Sequence, residues 1–67
     1  MIRVVINGES RVIEGPQTVS EYLDSFGLDS RFVAVARNGE VLAKEDFAHV
    51  TITEGDRLEI VRPVGGG

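Results

Sequence analysis

The 67-residue chain has no cysteine, one histidine, one lysine and no apolar run near the roughly 20 residues of a membrane-spanning helix. Each scarcity excludes a class of protein. Without cysteine there is neither a disulfide staple nor a thiolate metal site, and His49 alone cannot build a zinc site, so no metal is expected. The N-terminus lacks the basic region and long apolar stretch of a signal peptide, and together these absences predict a cytoplasmic protein without membrane contact. Basic residues are also in the minority. Seven against eleven acidic ones give a net charge of −4, which repels a phosphate backbone and argues against a nucleic-acid partner. What is present is ordinary globular material, 42% hydrophobic and 27% charged, in a chain with room for one domain. Its stability has to come from a compact apolar core.

Ile2, Val4 and Ile6 alternate with Arg3 and Val5, Asn7-Gly8 supplies a turn able to take positive φ, and Arg11-Val12-Ile13 resumes a β-branched run. This predicts a hairpin. A two-residue loop would pair Val4 with Arg11, whereas a three-residue loop with a bulge pairs Val4 with Val12. The bulged register is the expectation because it keeps Val12 inside. Gly15-Pro16 breaks the strand, Thr18 and Glu21 fit a capping box, and Val19, Tyr22, Leu23 and Phe26 form one apolar stripe of a helix about two and a half turns long. Gly27 follows where a left-handed cap is wanted. The apolar run 32–36 predicts a central strand, followed by an Asn38-Gly39 turn and a short strand at Val41-Leu42. Residues 45–48 are expected to make one helical turn that docks Phe47. Val50 and Ile52 form another strand, and Leu58 and Ile60 the last one, after the turn at Glu54-Gly55-Asp56. A helix crossing between the first hairpin and the later strands buries every apolar stripe if it lies on one face of a mixed sheet. The expected architecture is α+β, a β-grasp of four to five strands with one main helix, occupying residues 1–62 and followed by a flexible tail, residues 63–67.

Five of the eight glycines sit at turns or at the helix end, but Gly65, Gly66 and Gly67 have no turn to make. At a usage of about 7%, three consecutive terminal glycines arise by chance roughly three times in ten thousand. A tail without Cβ atoms can thread a narrow channel and present a sterically open carboxylate to another protein's active site. Adenylation would convert that inert carboxylate into a mixed anhydride open to a sulfur or nitrogen nucleophile, with the machinery supplied by a partner. The bland alternative is an incidental end. No catalytic constellation competes with the tail: His49 lacks a serine, cysteine or paired carboxylate at useful spacing, and Glu45-Asp46 and Glu54 with Asp56 suit turns and solvated faces. Tyr22 is expected in the core with its hydroxyl at the rim. On the last strand, Arg57, Glu59 and Val61 should point away from the helix if Leu58 and Ile60 point toward it, which makes them candidates for partner docking.

Ile6-Asn7-Gly8, Thr18-Val19, Val33-Ala34-Val35-Ala36-Arg37-Asn38, Gly55-Asp56 and Glu59-Ile60-Val61 leading to Val64-Gly65-Gly66-Gly67 follow one another in an order and spacing that span the chain. In these features the sequence resembles the ubiquitin-like sulfur-carrier proteins, among them the bacterial carriers of thiamine biosynthesis. The resemblance implies that the Gly67 carboxylate is adenylated by an ATP-dependent activating enzyme and converted to a thiocarboxylate. Val64, Gly65 and Gly66 would enter the partner's active site. It further implies a sulfur-donor protein, and thiazole synthase as recipient; ATP belongs to the activating enzyme and the carrier binds no cofactor. Phe47 stands where many relatives have tryptophan, a mild departure, and Lys44, the only lysine, limits self-conjugation without forbidding it. A carrier serving molybdopterin synthesis, a protein modifier joined to lysines and a non-covalent interaction module are the alternatives.

Overall fold

The computed structural model describes residues 1–62. The first two β-branched runs form strands β1 (Ile2–Ile6) and β2 (Glu9–Ile13), antiparallel and joined through Asn7 at φ 51° and Gly8 at φ 83°. Positive φ at both central residues is type I′ geometry, whose twist matches that of the strands it joins. The bulged register is thereby corrected: Val4 pairs with Arg11, and Val12, opposite Arg3, is 56% exposed. The Asn-Gly turn prevails because β2 is an edge strand, where burying one valine gains little.

Strand β3 (Gln17–Thr18) runs directly into helix α1 (Val19–Ser25). The capping box forms as expected, with the Glu21 N–H donating to Thr18 Oγ1 at 3.1 Å and the Thr18 N–H donating to Glu21 Oε1 at 2.8 Å. At the other end Gly27 takes φ 68°, the Gly27 N–H donates to the Asp24 carbonyl and the Leu28 N–H to the Leu23 carbonyl, which is a Schellman cap. The helix is therefore two turns, shorter than its apolar stripe. Val19, Tyr22 and Leu23 are buried, whereas Phe26 is the C-cap residue and stands 59% exposed, its ring edge-on to Tyr22.

After a 3₁₀ turn at Ser30–Phe32 come β4 (Ala34–Arg37) and β5 (Glu40–Val41), then a second 3₁₀ turn at Lys44–Asp46, β6 (Thr51–Ile52) and β7 (Arg57–Val61). The main sheet runs β2-β1-β7-β4-β5, with β1 and β7 parallel and the other neighbours antiparallel. This mixed five-stranded sheet with one helix is the expected β-grasp. Its middle strand is β7, not the 32–36 run: Phe32 lies in the 3₁₀ turn at 63% exposure, and the strand begins two residues later. The stretch around Ile52 leaves the main sheet and pairs with β3 instead. It also supports the helix start, since the Val50 and Phe47 carbonyls accept from the first free helix donors, Val19 N–H and Ser20 N–H. Phe47 is fully buried as expected, in one cluster with Leu23, Ile52, Leu58, Val4 and Val35, although the helical turn expected over 45–48 is a 3₁₀ turn at Lys44–Asp46 that Phe47 caps.

Candidate functional site

Alternation along β7 divides it between two environments. Leu58 is buried under the helix and Ile60 is half-buried, while Arg57, Glu59 and Val61 are exposed on the opposite face. The three candidate docking residues thus share one face, as the period-two reading requires. Neighbouring strands extend that face: Ala34 lies opposite Val61, and Ala36 stands between Glu59 on one side and Val41 on the other. Val41 and Val61 are 77% and 58% exposed, and with the two alanines they line a shallow apolar depression beside Glu59. Arg57 and Glu59 edge this strip with opposite charges. Its apolar half came from β4 and β5, which sequence alternation did not connect to β7 because cross-strand neighbours are set by register, not by proximity along the chain.

Two asparagines brace the same strand. Both occupy Asn-Gly turns at φ 51°. Asn38 Oδ1 accepts from the Arg57 N–H at 2.9 Å, and Asn7 Oδ1 accepts from the Ile60 N–H at 2.8 Å. Read from sequence, these residues are turn formers only. Their second use shows in neither spacing nor composition.

Asp56, at the root of β7, is buried and satisfied by Arg37 Nε at 2.9 Å, Asn38 Nδ2 at 3.2 Å and the Thr53 N–H at 2.9 Å. Burial pushes its carboxyl pKa up, but the hydrogen bonds from Thr53, Arg37 and Asn38 together hold it below the ordinary carboxylate value. It anchors the strand rather than solvating a turn, a correction to the sequence reading. The lone lysine is engaged as well, Lys44 Nζ donating to the Val33 carbonyl at 2.9 Å. Tyr22 is buried, and that burial raises its pKa against the opposing charge of Arg11. His49 is exposed, and among the described residues no three metal-ligating side chains cluster. No helix among them is long and apolar enough to cross a membrane. The predicted tail residues Val64, Gly65, Gly66 and Gly67 lie outside the described residues; β7 ends at Val61, two residues before residue 63.

Against known proteins, residues 4–67 match the model of the ThiS family. The chain is 47% identical over 66 residues to a thiazole synthase of Paramagnetospirillum magneticum, covering 98% of this chain but only 20% of that protein, so it spans about a fifth of that relative's length. It is 40% identical over 50 residues to the sulfur carrier protein ThiS of Bacillus subtilis, covering 75% of this chain and 76% of that one. The fold superposes on the crystal structure of the thiamine biosynthesis protein ThiS of Geobacter metallireducens with a TM-score of 0.83 and 32% identity, covering 98% and 100% of the two chains.

Proposed function

The chain belongs to the ThiS family, and from that premise we propose that it is a sulfur carrier of thiamine biosynthesis whose Gly67 carboxylate is the point of sulfur attachment. The observation that carries the reading is a family match running through the glycine tail to residue 67, on a chain whose fold agrees with a relative over nearly its whole length. The carrier is a co-substrate rather than a catalyst. An oxygen of the Gly67 carboxylate attacks the α-phosphorus of ATP in the activating enzyme, pyrophosphate leaves, and a hydrosulfide equivalent from a sulfur-donor protein then displaces AMP from the acyl carbon. The product is a C-terminal thiocarboxylate. Val64, Gly65 and Gly66 form the thin lead that lets the carboxylate enter a partner's site, while the face bearing Arg57, Glu59 and Val61 docks the domain. ATP is held by the partner, and the carrier works in the cytoplasm with no cofactor of its own. Thiazole synthase is the proposed recipient, supported by two relatives of that name that match this chain over 20% of their length.

The test is to incubate the protein with ATP, the activating enzyme and the sulfur donor and to weigh the intact chain. A gain equal to the difference between sulfur and oxygen, located at Gly67, is expected; a chain that never forms the adenylate overturns the reading. Thiazole formation from the loaded carrier then tests the recipient.

A further inference from the structure

The parallel ladder between β1 and β7 is short, with Val5 opposite Arg57 and Ile6 opposite Leu58. Its last backbone link is the Asn7 N–H donating to the Leu58 carbonyl at 2.9 Å. In a continuing parallel ladder the Ile60 N–H would next meet the Asn7 carbonyl. The hairpin prevents this, because Asn7 has already turned to φ 51° to lead into Gly8. Its side chain takes over. Oδ1 accepts from the Ile60 N–H at 2.8 Å and Nδ2 donates to the Ile60 carbonyl at 3.1 Å. A primary amide carries the same kinds of donor and acceptor as a peptide group, so one side chain prolongs the ladder past the end of its own strand. The residue it grips lies next to Val61, where β7 ends and the chain heads toward the terminus.

Resting on the carrier reading above, we propose that Asn7 is a positioning residue for the transfer terminus: its amide fixes the direction in which the chain leaves β7, so that a docked domain delivers the Gly67 carboxylate to one place. Asn7 touches no reacting atom. Five residues, 63–67, span at most about 17 Å when fully extended, so the region the terminus can reach is set by where and in which direction β7 releases the chain. Misplacement by about 1 Å is enough to cost a reaction up to two orders of magnitude. Asn38 supplies an internal control, since it has the same residue type, the same turn and the same φ, yet its amide serves the other end of β7, accepting from the Arg57 N–H and donating to Asp56.

The experiment compares Asn7→Gly with Asn38→Gly, because glycine keeps the positive φ and deletes only the amide. Adenylate formation is measured with the activating enzyme at saturating ATP and varied carrier, at a temperature where all variants are folded. Asn7→Gly should lower kcat roughly tenfold with little change in KM, while Asn38→Gly stays within about twofold of wild type. Backbone amide exchange at Ile60 should quicken in Asn7→Gly alone. Asn7→Asp, which keeps an acceptor for the Ile60 N–H but sets an oxygen against the Ile60 carbonyl, should give an intermediate kcat and serves if the glycine variant does not fold. Equal kcat for the two glycine variants beside an active wild type overturns the positioning role alone. So does a fall in kcat without faster exchange at Ile60. An inert wild type overturns the carrier reading and the positioning role with it.

Discussion

Asp56 shows how a single side chain can be decided by partners remote in sequence. Its carboxylate gathers Arg37, Asn38 and the Thr53 N–H around a site only 5% exposed. Burial opposes the charge, but the hydrogen bonds prevail, so the folded pKa lies below that of the unfolded chain. The sign follows: the stabilisation is fully present above the unfolded value of about 3.9 and is lost as pH falls through the folded one. Asp56→Asn should therefore cost about 1–3 kcal/mol at pH 7 in urea denaturation, with the gap from wild type narrowing below about pH 4. A gap that does not change with pH would show that the carboxylate's charge is not what the variant loses. From sequence Asp56 reads as a turn residue, because Arg37 is 19 positions away. Asn7 is harder still, its amide acting on a residue 53 positions on. Turn chemistry is local and legible; which strand a turn residue then reaches depends on a topology that no local pattern contains.

At the scale of the element, legibility follows the range of the forces that shape each piece. Both ends of α1 were readable, since the Thr18–Glu21 box and the Gly27 cap are made within a few residues. Its apolar stripe overran the helix by one position because periodicity reports a face and the cap decides where that face stops. Two substitutions separate these contributions. Leu23 is wholly buried between helix and sheet, so Leu23→Ala should cost about 2–5 kcal/mol, whereas Thr18→Ala loses one capping bond and should cost about 1 kcal/mol. Guanidinium denaturation of both proteins checks the ranking, and equal losses would mean that the helix is held by its cap rather than by its buried face. β6 lies within the strand expected from Val50 and Ile52, but its partner β3 has only two residues, too few to carry a period. The hairpin register turns on topology instead: burial of Val12 outweighs turn geometry only where β2 is covered, and β2 is an edge.

For the molecule as a whole, the sheet arrangement separates a helix side that supplies stability from an opposite face that leads to the terminus. Reversing both charges on that face, Arg57→Glu with Glu59→Lys, should raise the KM for the carrier in adenylation while the urea midpoint stays near wild type, because neither residue is in the core. An unchanged KM would remove the face from docking. The terminus itself makes the sharpest demand. If docking fixes the domain, the carboxylate must arrive at one distance from it, and each residue changes that distance by about 3.5 Å, far more than attack on a phosphorus atom tolerates. Deleting Gly67, or adding one alanine after it, should therefore abolish adenylate formation. The melting temperature should hardly move, since a glycine has no side chain to bury. Gly66→Ala adds a methyl group without shifting the end, so it should slow adenylation less than either change of length. A domain whose glycines are incidental gives the opposite result: no ATP-dependent modification of wild type, and no dependence of partner binding on tail length. Measuring adenylate formation across wild type and these three variants, with melting curves alongside, separates a terminus that reacts from one that merely ends the chain.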